Sequence, residues 1–139
     1  MAIAAITSII LNQDWRREIY AKEGVPIEVA ITDDNGENWQ LASGFRGDDE
    51  IIPDHRCLLT SKIKNICFLA TSKGRIYRSK DAAQTWQLIE DGIWFNTPYK
   101  FLYESFERIY AVNQNDAVYS DNFGNTWELM NMPRWNNLE

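Results

Sequence analysis

The feature that most constrains this chain of 139 residues is an eight-residue motif that occurs three times. Its clearest copy is Ser120–Trp127, and the earlier copies are Ser79–Trp86 and Thr32–Trp39. Each copy reads as a hydroxyl residue, any residue, Asp or Asn, any residue, a small residue, any residue, Thr or Asn, and Trp. The tryptophans are separated by 86 − 39 = 47 and 127 − 86 = 41 positions. A repeat of this period indicates the blades or units of a repeat architecture.

The motif has the chemistry of a tight turn. Its hydroxyl and its Asp or Asn side chain can both bond nearby backbone groups, and Gly124 is predicted to take a positive φ at no steric cost. Thr126 and Trp127 are predicted to restart a strand, with the indole folded back over the turn. Short alternating runs precede the copies, at Ile27–Ile31, Arg75–Arg78 and Ala117–Tyr119. Since alternation with a period of two is typical of a half-buried strand, each copy is predicted to connect two strands of one sheet.

The three segments resemble the Asp-box, or bacterial neuraminidase repeat (BNR), whose pattern is Ser-x-Asp-x-Gly-x-Thr-Trp. Ala83 departs from this pattern where glycine is usual, and Thr32 and Asn38 are conservative replacements. The resemblance implies a sialidase-like β-propeller, with the box on the turn between the third and fourth strands of a blade. Families with this box include sialidases, xyloglucan-degrading enzymes, sortilin-type receptors, photosystem II assembly factors and phage proteins.

In these families the box lies at the blade periphery, away from any active site. The resemblance therefore implies structural roles for the box positions. They are Thr32, Asp34, Gly36, Trp39, Ser79, Asp81, Thr85, Trp86, Ser120, Asn122, Gly124, Thr126 and Trp127.

The chain divides into three predicted blades of four antiparallel strands within one domain. They cover residues 1–43, 55–90 and 98–131, followed by a C-terminal tail at 132–139. Met1–Leu11 is almost wholly apolar and is predicted to be the innermost strand of the first blade, buried on both faces. An internal repeat alignment places Ile19–Ala21, Phe68–Ala70 and Ile109–Ala111 at equivalent positions of the second strands. Residues 43–54, with the acidic run Asp48–Glu50, are predicted to form an exposed loop between blades.

The number of blades points to association with another chain. Single-chain propellers usually hold four to eight blades around a channel, so three blades would leave an apolar blade face uncovered at each end. We expect a homo-oligomer, in which two copies close a six-bladed ring, or a subunit of a larger assembly. The candidate joint is Met1–Leu11 on one side and the region of Phe101, Tyr103 and Tyr110 on the other. A non-propeller packing of the three sheets is the alternative.

Charge and hydropathy exclude some classes of partner. The net charge of −6 offers no basic stripe for a nucleic-acid backbone. The N-terminal apolar run is too short to span a bilayer, and no basic residue precedes Arg16, which argues against a secretory signal. The expected location is therefore the cytoplasm or a virus particle.

Residues that could carry chemistry are few. His55 and Cys57 could share a strand face, but a nucleophile pair needs an orienting third group. Cys57 and Cys67 lack the close paired spacing of a zinc site and are predicted to be buried free thiols. The acidic residues do not follow the alternating pattern of a calcium loop; they are Asp33, Asp34, Asp48, Asp49 and Glu50. We expect no metal and no cofactor.

Two classes of function remain open. The first is a non-enzymatic structural or assembly module whose blades mediate protein–protein association. The second is a lectin-like carbohydrate-binding module that stacks sugars on Trp94, Phe95 and Trp135. A glycoside hydrolase is the third choice, because it requires a pair of carboxylates across a sugar site. Phe45-Arg46 resembles the start of the sialidase pattern, but Gly47-Asp48 replaces the Ile-Pro that should follow.

Overall fold

The protein is built from β-sheet. A computed structural model describes residues 3–12, 15–51, 55–63, 65–95, 97–114 and 116–130. Those residues form twelve strands in three four-stranded antiparallel sheets, and the strands of each sheet are consecutive along the chain. This arrangement agrees with the predicted fold class.

The first sheet comprises β1 (Ile3–Asn12), β2 (Trp15–Lys22), β3 (Glu28–Thr32) and β4 (Gln40–Leu41). The strands lie side by side in that order, and each is antiparallel to the next. The first box forms the β3–β4 connection, as the resemblance implies. The fourth strand begins one residue after Trp39, so this tryptophan ends the turn and does not open the strand.

The second sheet comprises β5 (Leu58–Thr60), β6 (Cys67–Ala70), β7 (Arg75–Ser79) and β8 (Gln87–Asp91). A single turn of 3-10 helix at His55–Cys57 leads into it. Cys57 therefore belongs to this helical turn and not to the strand that the sequence predicted for it.

The third sheet comprises β9 (Phe101–Ser105), β10 (Arg108–Val112), β11 (Ala117–Ser120) and β12 (Glu128–Leu129). The sequence predicts strands at 99–103, 108–112 and 117–120; the last two match the two middle strands, whereas β9 starts two residues later than predicted. Tyr99 precedes the strand and is wholly buried in the core.

The three sheets stack as successive blades. The innermost strands are neighbours, since β1 contacts β5 and β5 contacts β9. Side chains from facing sheets form one continuous apolar core between the blades. Its largest fully buried apolar members are Tyr77, Tyr99, Phe68, Ile19, Ile51 and Leu69. Within the described residues, blade 2 is covered on both faces, and blades 1 and 3 are each covered on one.

The N-terminal strand is only half buried, which corrects the expectation that both of its faces are covered. Ala5 and Ile9 pack in the core, but Ile6 and Ile10 are exposed. Alternate residues of a strand point to opposite faces. Because blade 2 covers only one of these faces in the described part of the chain, the other row of isoleucines meets solvent.

Strand pairing in blade 3 differs by one residue from the internal repeat alignment. The strand residues that pair with the first residue of each box are Glu18, Cys67 and Ile109. Tyr110 therefore occupies the position of Phe68, which the alignment gave to Ile109. The connection at 113–116 has four residues between paired positions, whereas the one at 71–75 has five. Since a one-residue change reverses the faces of a strand, Tyr110 points away from blade 2.

The acidic inter-blade loop is also less exposed than predicted. Asp49 is fully buried, although its neighbours Asp48 and Glu50 are exposed. Its carboxylate accepts hydrogen bonds from Arg75 Nη1 at 2.8 Å and from the Tyr77 hydroxyl. The loop is therefore tied to blade 2 by a buried charge that has two donors.

Candidate functional site

The three boxes share one pattern of hydrogen bonds. In the second box, the Ser79 hydroxyl accepts from the Ala83 amide at 2.8 Å and donates to Asp81 at 2.8 Å. The Asp81 carboxylate then accepts from the Thr85 amide at 2.9 Å and from its hydroxyl at 2.6 Å. Thr32, Asp34 and Asn38 form the corresponding links in the first box. Ser120, Asn122 and Thr126 do so in the third, except that there the Asn122 side-chain amide donates to the Thr126 hydroxyl.

These bonds consume the polar groups of the box within the turn itself. In the first box, the backbone and side-chain amides of Asn38 and the Thr32 hydroxyl lower the pKa of Asp34. The carboxylate is thus held ionised by its own turn. Within the described residues, the hydroxyl residue and the Asp or Asn of each box thus bond partners inside their own turn.

The tryptophans of the boxes differ in burial. Trp86 and Trp127 are 5% and 9% exposed, and their indole N–H groups donate to the carbonyls of Ala83 and Gly124 at 2.9 and 3.1 Å. Trp39 is 50% exposed and makes an edge-to-face contact with Tyr20, at 5.0 Å between ring centroids. The difference follows from position, because a blade covers the second and third boxes and none covers the first within the described residues.

Arginines connect each blade to the box of the next one. Arg17 Nη1, in blade 1, donates to the carbonyl of Ala82 at 3.1 Å. Arg78 Nη1, in blade 2, donates to the carbonyl of Phe123 at 2.8 Å. Both acceptors are the fourth residue of a box. Each blade interface is therefore closed by one buried guanidinium that satisfies a turn carbonyl.

The two arginines are held differently. Asp33 binds Arg17 through two parallel bonds, raises the pKa of the guanidinium and has its own pKa lowered in return. Arg78 has neutral acceptors, Phe123 O and Asn125 Oδ1, and burial lowers its pKa. The second interface thus contains a buried cation whose hydrogen-bond acceptors are uncharged.

Blade 3 carries a third arginine of this type. Arg108 binds Asp121 through Nε at 2.7 Å and Nη2 at 3.1 Å. Its guanidinium lies over the ring of Tyr119, at 4.1 Å from the centroid. The bond to Asp121 raises the pKa of Arg108. This arginine faces away from blade 2, on the uncovered side of blade 3.

The uncovered side of blade 1 is the first of two end faces. It is mainly aliphatic, with Ile10 as its most exposed member at 72%. We define the first end face by Ile3, Ile6, Ile10, Tyr20, Trp39 and Leu41. Such a cluster of uncovered large apolar side chains marks an interaction surface in a soluble protein.

The uncovered side of blade 3 is rich in tyrosine. We define the last end face by Phe101, Tyr103, Arg108, Tyr110, Val112 and Tyr119. A groove of about 560 Å³ runs along it, between the β9–β10 surface and Met130. Tyr103 and Tyr110 are neighbours in this groove, at 6.2 Å between ring centroids. The face combines aromatic surface with one arginine, a composition enriched at protein interfaces.

Two of the three residues proposed to stack sugars are described. Trp94 is partly exposed, beside a groove lined by Leu88, Ile93 and Trp127. Phe95 is half-buried and packs edge-to-face on Tyr99, at 5.6 Å between centroids. Trp135 lies outside the described residues. Of the two described residues, Trp94 has the more exposed ring.

The buried carboxylates act in local structure. Glu90 accepts from the amides of Gly92 and Ile93, at 3.3 and 2.7 Å, and from the Tyr99 hydroxyl at 3.4 Å. It thereby closes the turn after β8. Burial, with the charge and hydrogen bond of Glu90, raises the pKa of Tyr99. Asp49 is similarly engaged by Arg75 and Tyr77.

Both thiols are buried, and neither forms a disulfide. Cys57 Sγ lies 3.8 Å from the carbonyls of Tyr99 and Lys100. Burial raises the pKa of Cys67 to about 12, so its reactive thiolate form is strongly disfavoured. The side chain of His55, the other member of the predicted pair, is outside what the structure describes. Across the described residues, no three metal-ligating side chains converge.

No helix among the described residues combines the length and hydropathy needed to cross a bilayer.

Sequence reasoning missed the inter-blade arginines. Arg17 and Arg108 each lie near the start of the second strand of a blade, and each lies one residue before the partner of the first box residue. That repetition was the available signal, but the one-residue offset in blade 3 concealed it. Arg78 lies on a different strand and had no counterpart to reveal it.

Comparison with solved structures supports the propeller architecture. The structure of YCF48 bound to D1 peptide matches with a TM-score of 0.67 and 12% identity, over 91% of this chain and 38% of that one. A GH74 xyloglucanase from Xanthomonas campestris matches with a TM-score of 0.70 and 14% identity, over 96% of this chain and 24% of that one. Both are β-propeller proteins, and at these identities the likeness concerns the fold alone. The chain spans well under half the length of either. No family model matches the sequence, and no curated protein does.

Proposed function

We propose that this chain is a non-enzymatic association module, which binds protein partners through the end faces of its stacked blades. The observation that carries the proposal is the pair of uncovered, apolar sheet faces at the two ends of an otherwise well-packed core. Each face resembles a blade interface whose neighbour is missing from the described residues.

The composition of the two faces supports a protein partner. The first end face offers aliphatic side chains, and the last offers tyrosines with an arginine held among them. Burying such surface contributes about 25 cal/mol per Å² of apolar area. An interface that covered a whole blade face would approach the obligate class, roughly 2,000 Å² or more. A propeller that binds a peptide is among the solved structures similar to this one.

The proposed partner is either a second copy, which would give a six-bladed ring, or a larger assembly such as a virus particle. Two copies would meet head to tail, with the last end face of one against the first end face of the other. A two-fold axis along the channel makes such a contact close on itself.

Sedimentation velocity and light scattering test the proposal through one substitution and a matched control. Ile6→Asp places a charge on the first end face, where burial against a partner would leave it unpaired. Ile93→Asp makes the same change at an exposed isoleucine outside both faces. We expect Ile6→Asp to disperse the complex while the melting temperature of the separated chain stays within a few degrees. Association that persists in Ile6→Asp, or that Ile93→Asp disrupts equally, contradicts the proposal.

A lectin-like module is the second candidate, and the exposed ring of Trp94 beside a groove of about 560 Å³ favours it. Aromatic rings in shallow grooves can stack on sugar rings. Tryptophan fluorescence separates the candidates: quenching by xyloglucan or sialyl oligosaccharides that Trp94→Ala abolishes would favour the lectin. An unchanged spectrum with all glycans would favour the association module.

The same preparation tests the absence of catalysis. We expect no turnover of fluorogenic sialosides or aryl glycosides, because Asp49 and Glu90 are both engaged in local structure. Turnover that survives repurification and scales with the protein would contradict the non-enzymatic proposal.

A further inference from the structure

Arg108 and Arg17 occupy equivalent positions at the two ends of the stack. Each lies one residue before the strand partner of a first box residue, and each binds the second residue of its own box. The atoms also correspond, since Nε and Nη2 form the two bonds to Asp33 in blade 1 and to Asp121 in blade 3. The two pairs are thus copies of one device on successive blades.

The two arginines differ in the contacts of their third guanidinium nitrogen, Nη1. Arg17 Nη1 reaches across to the next blade and donates to Ala82 O at 3.1 Å, and its side chain is 8% exposed. Arg108 Nη1 donates to no other blade within the described residues; its guanidinium interacts with Tyr110 of its own blade, and its side chain is 36% exposed. Arg108 therefore presents the donor that Arg17 uses for inter-blade contact, but no other blade among the described residues receives it.

A matching acceptor lies at the opposite end of the stack. The fourth residues of the three boxes have almost the same left-handed backbone, with φ of 59° at Asn35, 58° at Ala82 and 55° at Phe123. Arg17 and Arg78 occupy the second and third of these carbonyls. The first, Asn35 O, accepts no hydrogen bond among the described residues. One end face thus carries a donor that no other described blade receives, and the other an unused acceptor of the kind that donor binds.

We propose that Arg108 recognises a second copy of this chain, by donating Nη1 to the Asn35 carbonyl of that copy. This inference rests on the proposed function, and it specifies both the partner and the contact. The joint between copies repeats the contact that joins blade 1 to blade 2 within one chain. In a closed pair the contact occurs twice, once at each joint.

The charge and contacts of Arg108 favour a neutral hydrogen-bond acceptor over an anionic one. Asp121 already neutralises the guanidinium and accepts two of its donors. The Tyr119 ring, at 4.1 Å, fixes the plane of the group, so little side-chain freedom remains to be lost on binding. A phosphate or carboxylate ligand would also meet the charge of Asp121. A backbone carbonyl carries no such penalty, and this is the acceptor that Arg17 has.

The surrounding surfaces fit this contact. Beside Arg108 are Tyr103 and Tyr110, and beside Asn35 are Tyr20 and Trp39 on the first end face. The corresponding tryptophans of the second and third boxes are buried against the preceding blade. A copy docked at Asn35 would cover Trp39 in the same way.

Measurement of the dimer dissociation constant tests the contact. Arg108→Met retains the apolar stem on Tyr119 but removes the donor. Lys80→Gln removes the same charge from the second position of the second box, an exposed site away from both end faces. We expect the constant to rise on the order of 100-fold for Arg108→Met, because each dimer loses two hydrogen bonds from a charged donor. For Lys80→Gln we expect a change below about 3-fold, as for an exposed charge.

The outcomes separate this inference from the proposed function. If Ile6→Asp disperses the complex but Arg108→Met does not, the end faces bind a partner and the arginine contact is wrong. If neither substitution affects association, both proposals fail. A wild-type chain that stays monomeric at micromolar concentration overturns the second copy as partner.

Cross-linking gives a second readout that does not depend on affinity. Arg108→Cys chains mixed with Asn35→Cys chains should form covalent dimers with a short bis-maleimide, and peptide mass spectrometry should find position 108 joined to position 35. Links that join position 108 only to position 108 would indicate face-to-face pairing and overturn the inference.

Discussion

The first and third boxes have the same local chemistry but different surroundings. In both, the hydroxyl and the third residue bond the same backbone amides at 2.8 to 2.9 Å. Trp127 is nevertheless buried against blade 2, and Trp39 is half exposed. The comparison teaches that the turn forms from its own eight residues, whereas the stability it contributes depends on the blade that covers it.

Removal of the box tryptophans should give the largest difference. Trp127→Ala is expected to cost about 3–5 kcal/mol, as for a large aromatic removed from a core. Trp39→Ala should cost about 1 kcal/mol or less in the separated chain, since half of its surface is already in water. Urea denaturation at a concentration where the monomer predominates measures both. Equal losses would show that burial does not distinguish the two boxes.

Replacement of the box glycines by valine should also destabilise the third box more than the first, but by a smaller difference in the free energy of unfolding. Gly36 and Gly124 have φ of 89° and 91°, so backbone strain of about 1–3 kcal/mol applies to both. At Gly124 an added Cβ would also lie 2.5 Å from Ile89 Cδ1 and 3.0 Å from Phe68 Cε1. At Gly36 its nearest neighbour would be Trp39, at 3.4 Å.

Gly124→Val should therefore cost about 1–3 kcal/mol more than Gly36→Val, the usual range for overpacking. Thermal melting decides the matter. Melting temperatures of both variants within a degree or two of the wild type would contradict the assigned turn.

Substitution of the paired arginines compares the stability that such a pair contributes at a covered blade face and at an uncovered one. Arg17→Met leaves the Ala82 carbonyl and the Asp33 carboxylate without their donor, at an expected cost of about 1–3 kcal/mol. Arg108→Met removes an exposed pair, which should leave the free energy of unfolding of the monomer nearly unchanged. Chemical denaturation of the two variants at the same low protein concentration tests this. A larger loss for Arg108→Met would mean that another part of the chain covers blade 3.

Alkaline pH should lower the free energy of unfolding, because two buried groups have raised pKa values. Burial raises the pKa of Cys67 to about 12, from an ordinary value of 9.0. Burial and the hydrogen bond to Asp49 raise that of Tyr77 to about 12, from 10.0. The folded chain therefore retains protons that the unfolded chain releases. The resulting stability is fully present below pH 9 and declines as the pH rises toward 12.

The free energy of unfolding, measured by urea denaturation, should fall between pH 9 and 11, and Cys67→Ala should reduce that fall by about 2–3 kcal/mol at pH 11. A thiol reagent at pH 8 should react with Cys67 only on unfolding. A pH profile that Cys67→Ala leaves unchanged would show that the thiol does not contribute.

Much of the fold could be predicted because its signals are local. The box residues bond partners within four positions of themselves, so the three copies could be recognised from the sequence. The strands predicted at 75–79, 108–112 and 117–120 have the bounds of β7, β10 and β11 for a related reason, since each is a short alternating run next to a turn. The strands predicted at 57–60, 65–70 and 99–103 match β5, β6 and β9 less accurately, because apolar residues that flank a strand enter the core without joining the sheet.

By itself, then, the sequence determined the turns, the number of blades and the order of strands within each blade, because short-range hydrogen bonds and alternation specify them. Only the tertiary structure decided which face of a blade is covered, which tryptophan is buried and which group each arginine side chain contacts. Arg17 and Ala82 are far apart in the chain and meet only because two sheets stack. One residue fewer in the β10–β11 connection placed Tyr110 on the uncovered side of blade 3. The candidate site consists of such surfaces, so it depends on sheet register and packing that no single segment encodes.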